Sequence, residues 1–204
     1  MKLLKINIIL TFIFIFVLLL NSCGNTTNDN NDNNNNNNSN YENSTILVAY
    51  FSATGHTKKL AEEVSDHFNA DLYEIEPKEK YTTADLDYSN SSSRSSMENS
   101  NDDARPEIKT NVSNIEKYET IILAYPIWWG KAPKIVYTFL ESYDFSNKII
   151  VPFCTSASSP LGSSASILKT LVSNKATWLE GKRLSSSTNL NEVCKWLDSL
   201  NLTK

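Results

Sequence analysis

The 204-residue sequence has little histidine (two residues), little cysteine (three) and little glycine (five). With two histidines and no C-x-x-C or H-E-x-x-H pattern, a metal site built from protein ligands is not expected. The glycines never fall at the spacing of a Walker loop or of the dinucleotide fingerprint G-x-G-x-x-G, which sets aside both common pyrophosphate cradles. Positive charge forms no stripe. Removing the two lysines and three acids that precede residue 43 leaves 17 basic against 20 acidic groups, a balance that argues against nucleic-acid binding. Nor is there an apolar run of the roughly 20 residues that span a bilayer. The longest, Ile8 to Leu20, is shorter, is broken by Thr11, and follows Lys5 and Asn7.

That run is instead the core of an export signal, with Lys2 and Lys5 as its basic leader. It ends in Leu20-Asn21-Ser22-Cys23, which resembles the lipobox of bacterial lipoproteins. The resemblance implies cleavage before Cys23 and attachment of a diacylglyceryl group to its sulfur. The alternative is an uncleaved N-terminal anchor. Either places the rest of the chain outside the cytoplasm, tethered to a membrane.

Ten of the thirteen residues from Asn28 to Asn40 are Asn. Nothing there can bury apolar area against chain entropy, so the stretch reads as a disordered tether. The expected organisation is a signal peptide over residues 1–22, a tether over 23–43 and one domain over 44–204. With Cys23 assigned to lipid, Cys154 and Cys194 remain. An exported chain could pair them. One ends a strand pattern and the other sits in a helical pattern, which favours two free buried thiols.

Within the domain, apolar runs alternate with helical periodicity. Strands are expected at Thr45 to Phe51, Asp71 to Glu76, Thr120 to Tyr125, Lys148 to Cys154 and Ala176 to Leu179. Helices are expected from about Thr57 to Phe68, Pro133 to Ser142, Gly162 to Ser173 and Asn191 to Leu200. The first, third and fourth strands are nearly all apolar, as befits strands covered on both faces of a parallel sheet. The pattern implies an α/β fold, a doubly wound five-stranded parallel sheet in a three-layer α/β/α sandwich. Residues 77–119 fit no such alternation. They suggest a long excursion with one irregular helix around Ser92 to Asp103, either functional or disordered.

Ligands of such sheets bind beyond the carboxyl ends of the strands, and three segments there are unusual. Ser52-Ala-Thr-Gly-His-Thr57 is a hydroxyl-rich turn opening a helix, a nest of neutral donors suited to a terminal monophosphate. The plain alternative is that Thr54 or Thr57 merely caps the helix. Tyr125-Pro-Ile-Trp-Trp-Gly130 places two of the four Trp residues in a loop, where aromatic walls suit a flat conjugated ligand. The alternative is a hydrophobic plug beneath the excursion. Thr155-Ser-Ala-Ser-Ser-Pro-Leu-Gly162 offers small residues, amides and hydroxyls for ring heteroatoms.

Taken together, Phe51 to Thr57, Tyr125 to Gly130 and Phe153 to Ser156 resemble the flavodoxin family, over about Thr45 to Leu200. The resemblance implies FMN as cofactor. By position, Ser52, Thr54, Gly55, His56 and Thr57 would bind the phosphate. Pro126, Ile127, Trp128 and Trp129 would wall the isoalloxazine, and Thr155, Ser156 and Ala157 would reach its polar edge. His56 stands where the family more often has Asn, and Ala157-Ser158 replaces a Gly pair, narrowing the pocket near the ring.

The chemistry would be the flavin's, with the protein supplying binding, orientation and electrostatics and no residue acting as acid, base or nucleophile. A scarcity of positive charge at the ring would disfavour an anionic reduced flavin. The expected role is a membrane-tethered electron carrier, served by a redox protein or quinone. An NAD(P)H-dependent flavin or quinone reductase and an FMN-free exported binding module are the alternatives.

Overall fold

The computed structural model describes residues 44–185 and 188–202. The expected signal peptide, the Asn-rich tether and the lipid-bearing Cys23 lie outside them. In chain order the elements are β1 (Ile46–Tyr50), α1 (His56–Phe68), β2 (Asp71–Glu74), α2 (Arg94–Ser100), β3 (Thr120–Pro126), α3 (Lys134–Glu141), β4 (Ile149–Thr155), α4 (Ser164–Lys169), β5 (Thr177–Trp178), β6 (Lys182–Leu184) and α5 (Leu190–Asp198). The strands run parallel in the order β2-β1-β3-β4-β5, the doubly wound flavodoxin order.

The apolar strands are covered on both faces because successive side chains alternate. Leu47, Ala49, Ile121 and Leu123 pack with Ile135, Val136, Phe139 and Leu140 of α3 and Leu168 of α4. Ile46, Val48, Ile122, Val151 and Phe153 face Leu60, Ala61 and Val64 of α1 and Val193 and Leu197 of α5. The inner faces of α1, α3 and α5 are those expected from their spacing. Cys154 and Cys194 are both free and buried.

The fifth position holds two short strands where one was expected. Thr177 N–H donates to Lys148 O (2.8 Å), Leu179 N–H to Ile150 O (2.9 Å) and Ser156 N–H to Leu184 O (3.2 Å). Even-numbered positions of β4 and of the residues flanking it therefore serve this side. Pro152 falls in that phase and has no N–H to give. Opposite it the chain bulges by one residue, so the register moves from Ile150↔Trp178 to Phe153↔Lys182. Gly181 makes the bulge possible: a Cβ there would sit 2.8 Å from Pro152 O.

Residues 77–119 form an excursion with hydrogen bonds of its own. Its ends are stitched by Lys78 N–H to Glu107 O and Lys109 N–H to Glu76 O, both 2.8 Å. Inside it, the Arg94 guanidinium lies 4.1 Å from the centre of the Tyr81 ring. Arg94 Nε donates to Glu98 Oε1 (2.7 Å), and the Tyr81 hydroxyl donates to Glu98 Oε2 (2.5 Å). The irregular helix expected over Ser92 to Asp103 is α2, capped by Ser93, whose Oγ accepts from Ser96 N–H.

Candidate cofactor site

The chain turns away from the sheet in opposite directions after β1 and β3, so their carboxyl ends diverge and open a crevice. A cavity of about 250 Å³ lies there. It is lined by Ser52, Ala53, Thr54, His56, Thr57 and Leu60 from the first turn and α1. Pro126, Ile127 and Trp128 come from the second loop, Thr155, Ser156 and Ala157 from the third, and Leu86 and Tyr88 from the excursion. Ile127 N–H donates to Thr155 O (3.0 Å), which holds the second and third loops side by side.

At the first turn, Gly55 occupies the N-cap of α1 and no side chain caps the helix. Ser52 Oγ accepts from Gly55 N–H (3.1 Å), and the first backbone bond of α1 runs from Lys59 N–H to Gly55 O. The N–H groups of His56, Thr57 and Lys58 thus have no intrahelical acceptor, and Thr54 and His56 are exposed beside them. The terminus is therefore not capped by a side chain, and its free N–H groups could accept an anion. Thr57 behaves differently. It is buried, and its hydroxyl pairs with that of Thr155 at 2.8 Å. Each hydroxyl has one proton, so the pair keeps one to donate elsewhere.

The two tryptophans take different places. Trp128 is only 6% exposed and packs edge-on against Phe51 (centroids 5.5 Å) and Tyr81 (5.2 Å). It is both a cavity wall and a plug beneath the excursion. Trp129 does not line the cavity. It is 38% exposed and rests against Tyr88 at 4.6 Å between centroids. Trp128 and Lys131 exchange both backbone hydrogen bonds at 2.9 Å, with φ of 46° at Trp129 and 75° at Gly130. That is a type I′ hairpin turn, a conformation costing a bulky L-residue about 1 kcal/mol.

Ten of the twelve residues expected to hold the cofactor line one cavity, and Gly55 and Trp129 do not. The sequence pattern does not point to Leu86 and Tyr88, which line the cavity, or to Arg183, which binds the third loop. The first two lie in a stretch without periodicity. Arg183 lies on β6, which carries only three residues of strand pattern. Its Nε donates to Ser156 Oγ (3.1 Å) and its Nη2 to Ser156 O (2.9 Å) and Ala157 O (2.6 Å). That guanidinium holds one positive charge against the carbonyls of two residues that line the cavity. Ser156 Oγ donates in turn to Ser159 O, so its hydroxyl is spent within the loop.

Burial pushes the Tyr88 phenol up. Burial also pushes the Cys154 thiol, behind the third loop, up to about 12, with the Arg183 charge opposing.

Residues 45–200 match the family model for flavodoxin. A candidate flavoprotein from Bacteroides eggerthii is 43% identical, with a TM-score of 0.72 over 78% of this chain and 98% of its own. Another, from Bacteroides uniformis, is 40% identical with a TM-score of 0.71, covering 75% and 97%. A flavoprotein from Lactobacillus acidophilus, solved in complex with FMN, is 23% identical, a likeness of fold alone, with a TM-score of 0.58 over 74% and 97%. No curated protein matches. The chain belongs to the flavodoxin family.

Proposed function

We propose that this domain binds FMN in the crevice between β1 and β3 and carries electrons outside the cytoplasm while tethered to a membrane through Cys23. The observation that carries the cofactor reading is the uncapped N-terminus of α1, opening into the same cavity as the walls of the second and third loops. A phosphate satisfies those N–H groups and is favoured by the helix dipole.

The residues present fit the cofactor. The amides of His56, Thr57 and Lys58 and the hydroxyls of Ser52 and Thr54 hold the phosphate. Pro126, Ile127 and Trp128 wall the ring on one side, Leu86 and Tyr88 help to enclose it, and Thr155 and Ala157 meet its polar edge. FMN, when bound, supplies one- and two-electron transfer. The side chains exclude water and orient the ring.

Support for the location comes from the lipobox-like Leu20 to Cys23 and the Asn-rich stretch behind it. Reduced nicotinamide is scarce outside the cytoplasm, which favours a quinone pool or a membrane redox protein as electron source.

The test is purification of the full-length protein in detergent with added FMN. Bound-flavin absorbance that weakens in Thr54→Ala is expected; an apoprotein that stays colourless at saturating FMN sinks the cofactor reading. Rapid NADPH oxidation with a quinone acceptor would move the protein to the reductases. Incorporation of a labelled fatty acid into the wild type and its loss in Cys23→Ala are expected, and a wild type that takes up no label would contradict the lipid tether.

A further inference from the structure

Arg183 reaches its position through the bulge at the fifth strand. In-register neighbours of a parallel sheet share a face, and the extra residue opposite Pro152 pairs Arg183, not Lys182, with Cys154. The side chain of Lys182 goes to the opposite layer, where its ammonium lies 5.6 Å from the Trp196 ring centre on α5. Without the bulge the two would exchange faces, because a one-residue slip inverts the alternation.

From this place the guanidinium grips both carbonyls of the turn after β4, those of Ser156 and Ala157. No peptide bond here is cis. In a planar trans peptide the C=O and the following N–H point in opposite directions. Drawing the two carbonyls toward Arg183 therefore turns the N–H groups of Ala157 and Ser158 away from it. Ser156 and Ala157 line the cavity and Arg183 does not. Neither N–H has a protein acceptor among the described residues.

We propose that Arg183 is a positioning residue that aims the Ala157 and Ser158 amides into the cavity and, through its fixed charge, favours the reduced, more negative form of the bound flavin. The proposal rests on the FMN reading of the site. With side chains at 157 and 158, the loop conformation is held by a guanidinium fork and not by the backbone freedom of glycine. The same charge distinguishes this pocket from one lacking cations, since a cation near the ring edge stabilises whichever redox state carries more negative charge.

The experiment uses full-length wild type, Arg183→Gln and Arg183→Lys in detergent. It measures affinity for oxidised FMN and, under anaerobic conditions, for two-electron-reduced FMN. In Arg183→Gln, affinity for the reduced form falls about tenfold more than affinity for the oxidised form, the order expected for one unit charge in a partly buried site. Arg183→Lys keeps the wild-type ratio. A wild-type ratio in Arg183→Gln overturns the proposal. Amide exchange on the wild type tests it without any variant: FMN slows exchange at Ala157 and Ser158, and unchanged exchange there with FMN bound overturns it. Failure of the wild type to bind FMN at all is a different result and overturns the reading beneath.

Discussion

The hydroxyl oxygens of Thr57 and Thr155 lie 2.8 Å apart in a buried contact that joins the first turn of α1 to the end of β4. The two residues are far apart in sequence and belong to two of the three loops around the cavity. This contact fixes the distance between the turn that opens α1 and the loop that follows β4.

Thr57→Val keeps the shape and leaves the Thr155 hydroxyl buried without its partner. The expected cost is about 1–3 kcal/mol in the apoprotein. The double variant Thr57→Val/Thr155→Val should cost little more than the single change, because no orphan remains. Denaturant unfolding of all four forms checks this, and simple additivity would contradict it.

Trp129 holds a left-handed conformation that a type I′ turn normally gives to Asn or Gly. Its contact with Tyr88 offsets the strain, so the single substitution mixes two effects. In a Tyr88→Ala background the contact is already gone, and Trp129→Asn should then raise stability by about 1 kcal/mol. The denaturation midpoint at constant slope reads it.

Trp128 is part of the core as well as a wall. Trp128→Ala should cost about 3–5 kcal/mol, because it opens a cavity between Phe51 and Tyr81. Any loss of FMN binding in that variant includes a loss of folded protein. Thr54→Ala, at an exposed position, should change stability by less than about 0.5 kcal/mol while weakening FMN, and thermal melts alongside flavin titration separate the two.

Cys154 gives a dependence on alkaline pH. Its thiol ionises near the ordinary 9.0 when unfolded and is held protonated to about 12 in the folded chain. Between those values the native state binds more protons than the unfolded state, so stability falls as pH rises through 9. Burial also pushes up the Cys194 thiol, which adds to the fall in the same window, and the Tyr73 and Tyr125 phenols, which add to it only above 10. Cys154→Ala should therefore flatten the decline between pH 9 and 10, measured as unfolding free energy against pH.

The continuous apolar runs of β1, β3 and β4 and the 3.6-residue spacing of α1, α3 and α5 determine the layered fold by themselves, since burial on two faces leaves a chain of this length few other arrangements. The hydroxyl-rich turn, the Trp pair and the loop after β4 were equally legible, because each carries its chemistry within a few neighbouring residues. Only the tertiary structure decided how Trp128 and Trp129 divide their roles, because the turn geometry and the arrival of Tyr81 and Tyr88 set it. Those tyrosines come from an excursion that has no periodicity to read. Arg183 is the sharpest case. Its face of the sheet follows from a missing N–H at Pro152 and a close approach at Gly181, a pairing across strands that no local pattern encodes.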